Sequence, residues 1–253
     1  MKPIEMSVVV GASSRVGKAI VTRLAFAGHR VVGIGLDSSS DQLRNIEDEM
    51  KRVGADVTCL PFQENEESTI SAAANIIGMS GIRGLVFASP DNRIIGNVDT
   101  NSETSQLEFN TVFAQRLTLP FRIIKCAIPH LHKTSDSSIV IVNSSSAYTT
   151  FVDMGLFSSA STALLSLARA LATDPSVIPT RVNTVVMSTV HGDGSGGVWD
   201  KEEENGTLRQ MIPLGRLGST ADVGAAVEFL LSRKSRYITG EAIVLAGGMQ
   251  SRL

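Results

Sequence analysis

Gly11-Ala12-Ser13-Ser14-Arg15-Val16-Gly17-Lys18 stands between the first apolar run and the first amphipathic stretch of the chain. A strand, a glycine-rich turn and a helix start, in that order, direct free backbone N–H groups and the positive end of the helix dipole at one point, as a pyrophosphate requires. On that chemistry Gly11, Ser13, Arg15, Val16 and Gly17 are candidates for holding a phosphate-bearing cofactor. Gly11 and Gly17 serve a tight turn and close helix packing equally well. Asn143-Ser144-Ser145-Ser146 closes a later apolar run. Serine hydroxyls there can orient a carbonyl or an oxyanion, but they cannot supply an acid near neutral pH. Three nearby groups can titrate: Tyr148, Asp153 and His191. Asp153 lies between Val152 and Met154, and apolar surroundings raise a carboxyl into the range useful for acid and base work. Each of the three also reads as a solvated loop residue.

The elements that must position these groups alternate along the chain. Short apolar runs at Ser7–Val10, Val31–Gly35, Val57–Leu60, Gly84–Phe87, Ser138–Val142, Arg181–Val186 and Ala242–Leu245 read as strands buried on both faces. Between them fall helices near Val16–Ala27, Gln42–Val53, Glu67–Gly78, Thr104–Leu131, Phe157–Thr173 and Ala221–Leu231, the last opened by a capping box from Ser219 to Asp222. This rhythm predicts an α/β fold, a doubly wound parallel sheet of about seven strands in a Rossmann-like single domain over 1–253. Only the stretch from about 189 to 217 lacks periodicity, and it is expected to act as a lid over the carboxyl edge of the sheet. Trp199 within it either caps an apolar pocket or anchors the lid to the protein's own surface.

Composition narrows the partners. The chain has 253 residues, 43% of them hydrophobic, and a net charge of −2 with no basic stripe, so neither a nucleic acid nor a membrane surface is expected as partner. A small-molecule substrate remains. Cys59 and Cys126 fit no disulfide or metal spacing, and His29, His130, His132 and His191 form no ligand set, so no metal is expected. A cytoplasmic location is expected, with no charged leader and no apolar run long enough to span a bilayer.

Nearly the whole chain resembles the short-chain dehydrogenase/reductase family. Arg181-Val182-Asn183 opens the sixth strand as that family does, and Ile238-Thr239-Gly240 and Ala246-Gly247-Gly248-Met249 are similar to its closing Thr-Gly and Asp-Gly-Gly. The resemblance implies that Asn110, in the long fourth helix, stands at the family's catalytic asparagine, and that one serine of 144–146 stands at its catalytic serine. Counting forward from Asn143 favours Ser146 and counting back from Phe157 favours Ser144, so Ser145 and Ser146 are the candidates. It further implies NADP(H) if any cofactor binds, and a homodimer or homotetramer joined through the helices around Thr104–Leu131 and Phe157–Thr173.

Departures from the family pattern cluster on its chemistry. Where the resemblance implies a Tyr-x-x-x-Lys helix stand Phe157 and Ser161, a ring without an ionisable proton and a hydroxyl without charge. Arg15 replaces the middle glycine of the phosphate turn, either filling the space or offering its guanidinium to a phosphate. Gly35-Leu36 ends the second strand with only Asp37 beyond. Phe62 stands near the family's adenine-contacting aspartate, Phe87-Ala88-Ser89-Pro90 replaces its Asn-Asn-Ala-Gly, and Met187-Ser188 its Pro-Gly. The expected function is therefore a divergent enzyme performing a non-redox step, isomerisation, cyclisation or dehydration, on a small, largely apolar molecule, in the setting of secondary metabolism. The alternatives are an NADPH-dependent reductase with a replaced proton donor, and a catalytically silent subunit that partners an active homologue.

Overall fold

The computed structural model describes residues 6–36, 40–63, 65–77, 81–88, 106–150, 154–188, 190–191 and 207–249. The first half runs β1 (Met6–Val10), α1 (Arg15–Phe26), β2 (Arg30–Gly35), α2 (Ser40–Arg52), β3 (Val57–Pro61), α3 (Glu66–Ile77) and β4 (Gly84–Phe87). The second half runs α4 (Gln106–Phe113), a π-helical turn (Ala114–Thr118), α5 (Leu119–Leu131), β5 (Ser138–Ser144), a 3-10 turn (Ser145–Ala147), α6 (Gly155–Thr173) and β6 (Arg181–Met187). It closes with β7 (Val190–His191), α7 (Thr207–Met211), β8 (Gly218–Ser219), α8 (Thr220–Leu231), a 3-10 turn (Arg233–Ser235) and β9 (Ala242–Leu245).

Seven strands pair in parallel in the order β3-β2-β1-β4-β5-β6-β9. Strand side chains alternate between faces, and both faces are covered by helices. Val9, Val86, Val140 and Val185 pack on one side with Ile20 and Leu24 of α1 and Val227 and Leu230 of α8. Val8, Val10, Leu85, Ile139 and Val182 pack on the other with Ile123 and Ala127 of α5 and Leu164 and Ala168 of α6. Complete burial of such a side chain contributes roughly 1.5–3 kcal/mol, which fixes the register of every strand. The strand order reverses between β1 and β4, so the carboxyl ends of β1, β4, β5 and β6 open onto the crevice where ligands of such sheets bind.

Three expectations change. The single helix expected over Thr104–Leu131 is interrupted at Ala114–Thr118, where the Leu119 N–H donates to the Ala114 carbonyl, one residue further back than in an α-helix. Pro120 supplies the reason. It has no N–H for the Arg116 carbonyl, and its ring crowds that same carbonyl, so the ladder widens around Arg116. The stretch expected to be a structureless lid is partly built, since β7 and β8 pair across its ends and α7 lies within it; 192–206, with Trp199 and the acidic run, fall outside the described residues. Finally, α6 is long and apolar enough to cross a membrane by length and composition, contrary to the expectation that no run is. In the fold its apolar face, including Leu164, Leu165, Ala168 and Leu171, is buried in the core.

Candidate active site

The turn after β1 keeps the shape that brings backbone close to backbone. Gly11 has φ +86°, and a Cβ there would lie 2.2 Å from the Ala88 carbonyl oxygen at the end of β4; a Cβ on Gly17 would lie 2.0 Å from the Gly11 oxygen. Only glycine fits either position. Ser14 caps α1, its Oγ accepting from the Gly17 N–H and donating to the Gly11 carbonyl. Val16 is a core residue, so only its backbone faces the turn. Ser13 is half-buried and Arg15 exposed, and both line a cavity of ≈ 280 Å³ between α1 and α2, bounded by Lys18, Gln42 and Asn45. Lys18 pairs with Glu49 across that cavity at 2.8 Å. At the end of β2 the packing differs: Leu43 fills the space beside Gly35, coming within 2.7 Å of where a Cβ would stand. The turn thus combines glycine space, a helix N-terminus and a cation. The described end of β2, up to Leu36, offers no acidic or basic side chain to a ribose.

The second half of the site is the junction of β5 and α6. Asn143 locks it, its Oδ1 accepting from the Ser144 N–H and its Nδ2 donating to the Ser161 carbonyl at 2.8 Å. Ser144 spends its hydroxyl as N-cap of the 3-10 turn, accepting from the Ser146 N–H. Ser145 is buried with its carbonyl bound to the Tyr148 and Thr149 N–H groups. Ser146 is 1% exposed, and its Oγ has no hydrogen-bond partner among the described residues; the same holds for the buried hydroxyls of Ser158 and Ser161. Thr162 ties α6 to the turn by donating to the Ala147 carbonyl. Phe157 and Ser161 sit one helical turn apart on a single face of α6, at 1% and 0% exposure.

The other sequence candidates are dispersed. Asn110 is exposed on α4 and its Oδ1 accepts a hydrogen bond from the Gln106 side-chain amide. Tyr148 is half-buried against the cluster of Ala147, Leu165, Val186 and Ala242, beside β6 and the edge strand β9. Asp153 lies outside the described residues, and so does the side chain of His191, whose backbone pairs with Ser219.

Arg116 is the residue that sequence reasoning missed. Its guanidinium carbon lies 3.7 Å from the centroid of the Phe157 ring, a cation–π stack, and the residue is 7% exposed. Desolvation pushes the guanidinium down to about 9, so it remains protonated at neutral pH. A signal was present in the sequence: Pro120, four residues on, marks the Arg116 carbonyl as the point where the helix must open.

A second cavity, ≈ 180 Å³ and mainly apolar, lies beyond the site between Val190, Ile212, Val223, Leu245 and Met249. The closing turn shapes it, with Gly247 and Gly248 at φ +60° and +89° pressed against Ile212 and Pro213.

Sheet order and the glycine turn at the switch point define a doubly wound, Rossmann-like α/β fold, and residues 11–250 match the family model described as enoyl-(acyl carrier protein) reductase. The chain belongs to the short-chain dehydrogenase/reductase family. It is 28% identical over 257 residues to dehydrogenase/reductase SDR family member 4 of Sus scrofa, covering 100% of this chain and 90% of that protein. To tropinone reductase-like 3 of Erythroxylum coca it is 27% identical over 257 residues, covering 98% and 94%. The solved structure of a dehydrogenase/reductase from Sinorhizobium meliloti 1021 superposes with a TM-score of 0.84 at 24% identity, covering 96% and 94%, which establishes the common fold.

Proposed function

We propose that this protein is a short-chain-dehydrogenase-type enzyme that carries out a non-redox step, isomerisation, cyclisation or dehydration, on a small, largely apolar molecule bearing a carbonyl. One observation carries the reading: Phe157 and Ser161 share one sealed face of α6, and neither can donate a proton near neutral pH or supply the charge that lowers a neighbour's pKa. What the junction offers a carbonyl is hydrogen bonding, from the hydroxyl of Ser146, which has no partner among the described residues. Preorganised donors of this kind stabilise a developing oxyanion, and removal of one such donor costs about 2.7–4 kcal/mol of transition-state stabilisation. Small cyclic ketones, enones and β-hydroxyketones incubated with the purified protein, with and without NADPH, test the reading by mass spectrometry of the products. A rearranged or dehydrated product formed without nucleotide is expected. Product that appears only as NADPH is consumed would overturn it.

A second reading is favoured by the exposed Arg15 on the rim of the α1–α2 cavity. Ser13, Arg15 and the amides of the glycine turn would hold the phosphates of NADP(H), whose contribution is a hydride. The names of the curated relatives, reductases among them, point the same way. Titration of NADPH fluorescence decides it. Saturable binding that weakens in Arg15→Ala supports the second reading, and no binding removes it.

A further inference from the structure

Protein interiors pack as densely as organic crystals, so an apolar cavity persists only where its walls cannot close on it. The ≈ 180 Å³ cavity between Val190, Ile212, Val223, Leu245 and Met249 has such walls. The Leu214 N–H donates to the Gly247 carbonyl at 3.0 Å, which ties the turn after α7 to the turn that closes β9. A methyl group on Gly247 would lie 2.6 Å from Ile212 Cγ2, so these two turns already touch and can approach no further. Val190 is held by its pairing with Gly218 across β7 and β8, and Asp222 by the capping box of α8. The cavity is therefore preformed, as ligand cavities usually are. It also meets solvent, because Leu214 on its edge is exposed and Leu245 and Met249 in its lining are only half-buried.

Its place in the fold separates it from the β5–α6 junction. Val190, Val223 and Leu245 belong to the core on the α1 and α8 side of the sheet, whereas α6 packs on the opposite face. Its charge is equally definite. Arg216 and Asp222 both line it, and the two Nη atoms of Arg216 donate to the two Asp222 carboxylate oxygens at 2.9 and 3.2 Å, so the pair is neutral as a unit. A charged guest would surrender hydration here without gaining a counter-ion, and an uncharged apolar one would not. Size sets the remaining limit, since an apolar cavity of about 150 Å³ admits a molecule of benzene.

We infer that this cavity is a second binding site, apart from the junction, for a small uncharged apolar molecule of about the size of a substituted benzene ring. The bound molecule covers Leu245 and Met249, while the braced turns and the neutral ion pair exclude ions of the same shape.

The test is direct binding, with toluene as the probe and benzoate and benzylammonium as its charged counterparts. Each is titrated into the full chain labelled with 13C-methyl methionine, the Met249 signal being assigned by its loss in Met249→Leu. Toluene is expected to shift that signal saturably and to bind roughly tenfold or more tightly than either ion. Ala246→Phe, which places a ring in the cavity, is expected to abolish the shift, and Ser146→Ala, at the junction, to preserve it. Lack of a saturable shift at Met249, equal affinity for toluene and an ion, a shift that persists in Ala246→Phe, or one lost in Ser146→Ala would each overturn the inference. Should Ala246→Phe fail to fold, nuclear Overhauser contacts between toluene and the methyl groups of Val223 and Leu245 in the wild-type chain take its place, and their absence overturns the inference. Failure here leaves the non-redox proposal standing, because that proposal is judged by product formation without nucleotide.

Discussion

Gly11 shows how little freedom the site allows a single residue. A methyl group added there meets the Ala88 backbone oxygen at 2.2 Å, in a left-handed conformation that side chains avoid, and neither backbone segment can move without disturbing β1 or β4. Gly11→Ala should therefore lower unfolding free energy by about 2–3 kcal/mol in urea denaturation, the usual range for forced overpacking. Asn143 works by hydrogen bonding instead of sterics. Asn143→Ala leaves the Ser161 carbonyl and the Ser144 N–H without the partner they have, so a loss of about 1–3 kcal/mol is expected. That variant should also raise amide hydrogen exchange at the start of the 3-10 turn. Arg15→Ala removes an exposed side chain and should leave stability within about 0.5 kcal/mol, so any effect on nucleotide binding belongs to the site itself.

At the scale of elements, α8 illustrates a start written entirely in local sequence. Ser219 accepts from the Asp222 N–H while the Asp222 carboxylate accepts from the Ser219 N–H, and Arg216 grips the same carboxylate at 2.9 Å. Hydrogen bonds from Arg216 and Ser219 hold the Asp222 carboxyl well below the usual carboxylate range. Because its folded value is depressed, the stabilisation is complete above the ordinary aspartate value of about 3.9 and fades as pH falls toward the folded value. Arg216 is largely exposed, so the ion pair itself contributes little and the cap most of an expected total of about 1 kcal/mol. Denaturation of wild type and Asp222→Asn should differ by that amount at pH 6, and the gap should narrow as pH drops below about 4. The helix through α4 and α5 is the contrasting element. Its apolar pattern runs on past Pro120, and only the proline geometry reveals the π-helical turn that delivers Arg116 to α6.

At the scale of the whole molecule, α4 and α5 leave Leu107, Phe109 and Phe121 exposed, with Phe109 stacked on Phe113 at 4.5 Å. An apolar surface of this kind fits the proposed homodimer or homotetramer, where a two-fold axis would bury it against itself. Sedimentation analysis should give the mass of two or four chains, and the double variant Leu107→Asp with Phe109→Asp should give one. The sheet was legible in advance because strands buried on both faces read as unbroken apolar runs, and the glycine turn because backbone space at Gly11 and Gly17 admits no other residue. Phe157 and Ser161 were equally plain, since what a side chain lacks in protons or charge needs no neighbour to establish it. Placement of Asn110 on a solvated face, the spending of the Ser144 hydroxyl on a cap and the stacking of Arg116 on Phe157 were decided only by the tertiary fold. Each depends on how two distant segments approach one another, and a one-dimensional pattern records which residues are buried but not which of them meet.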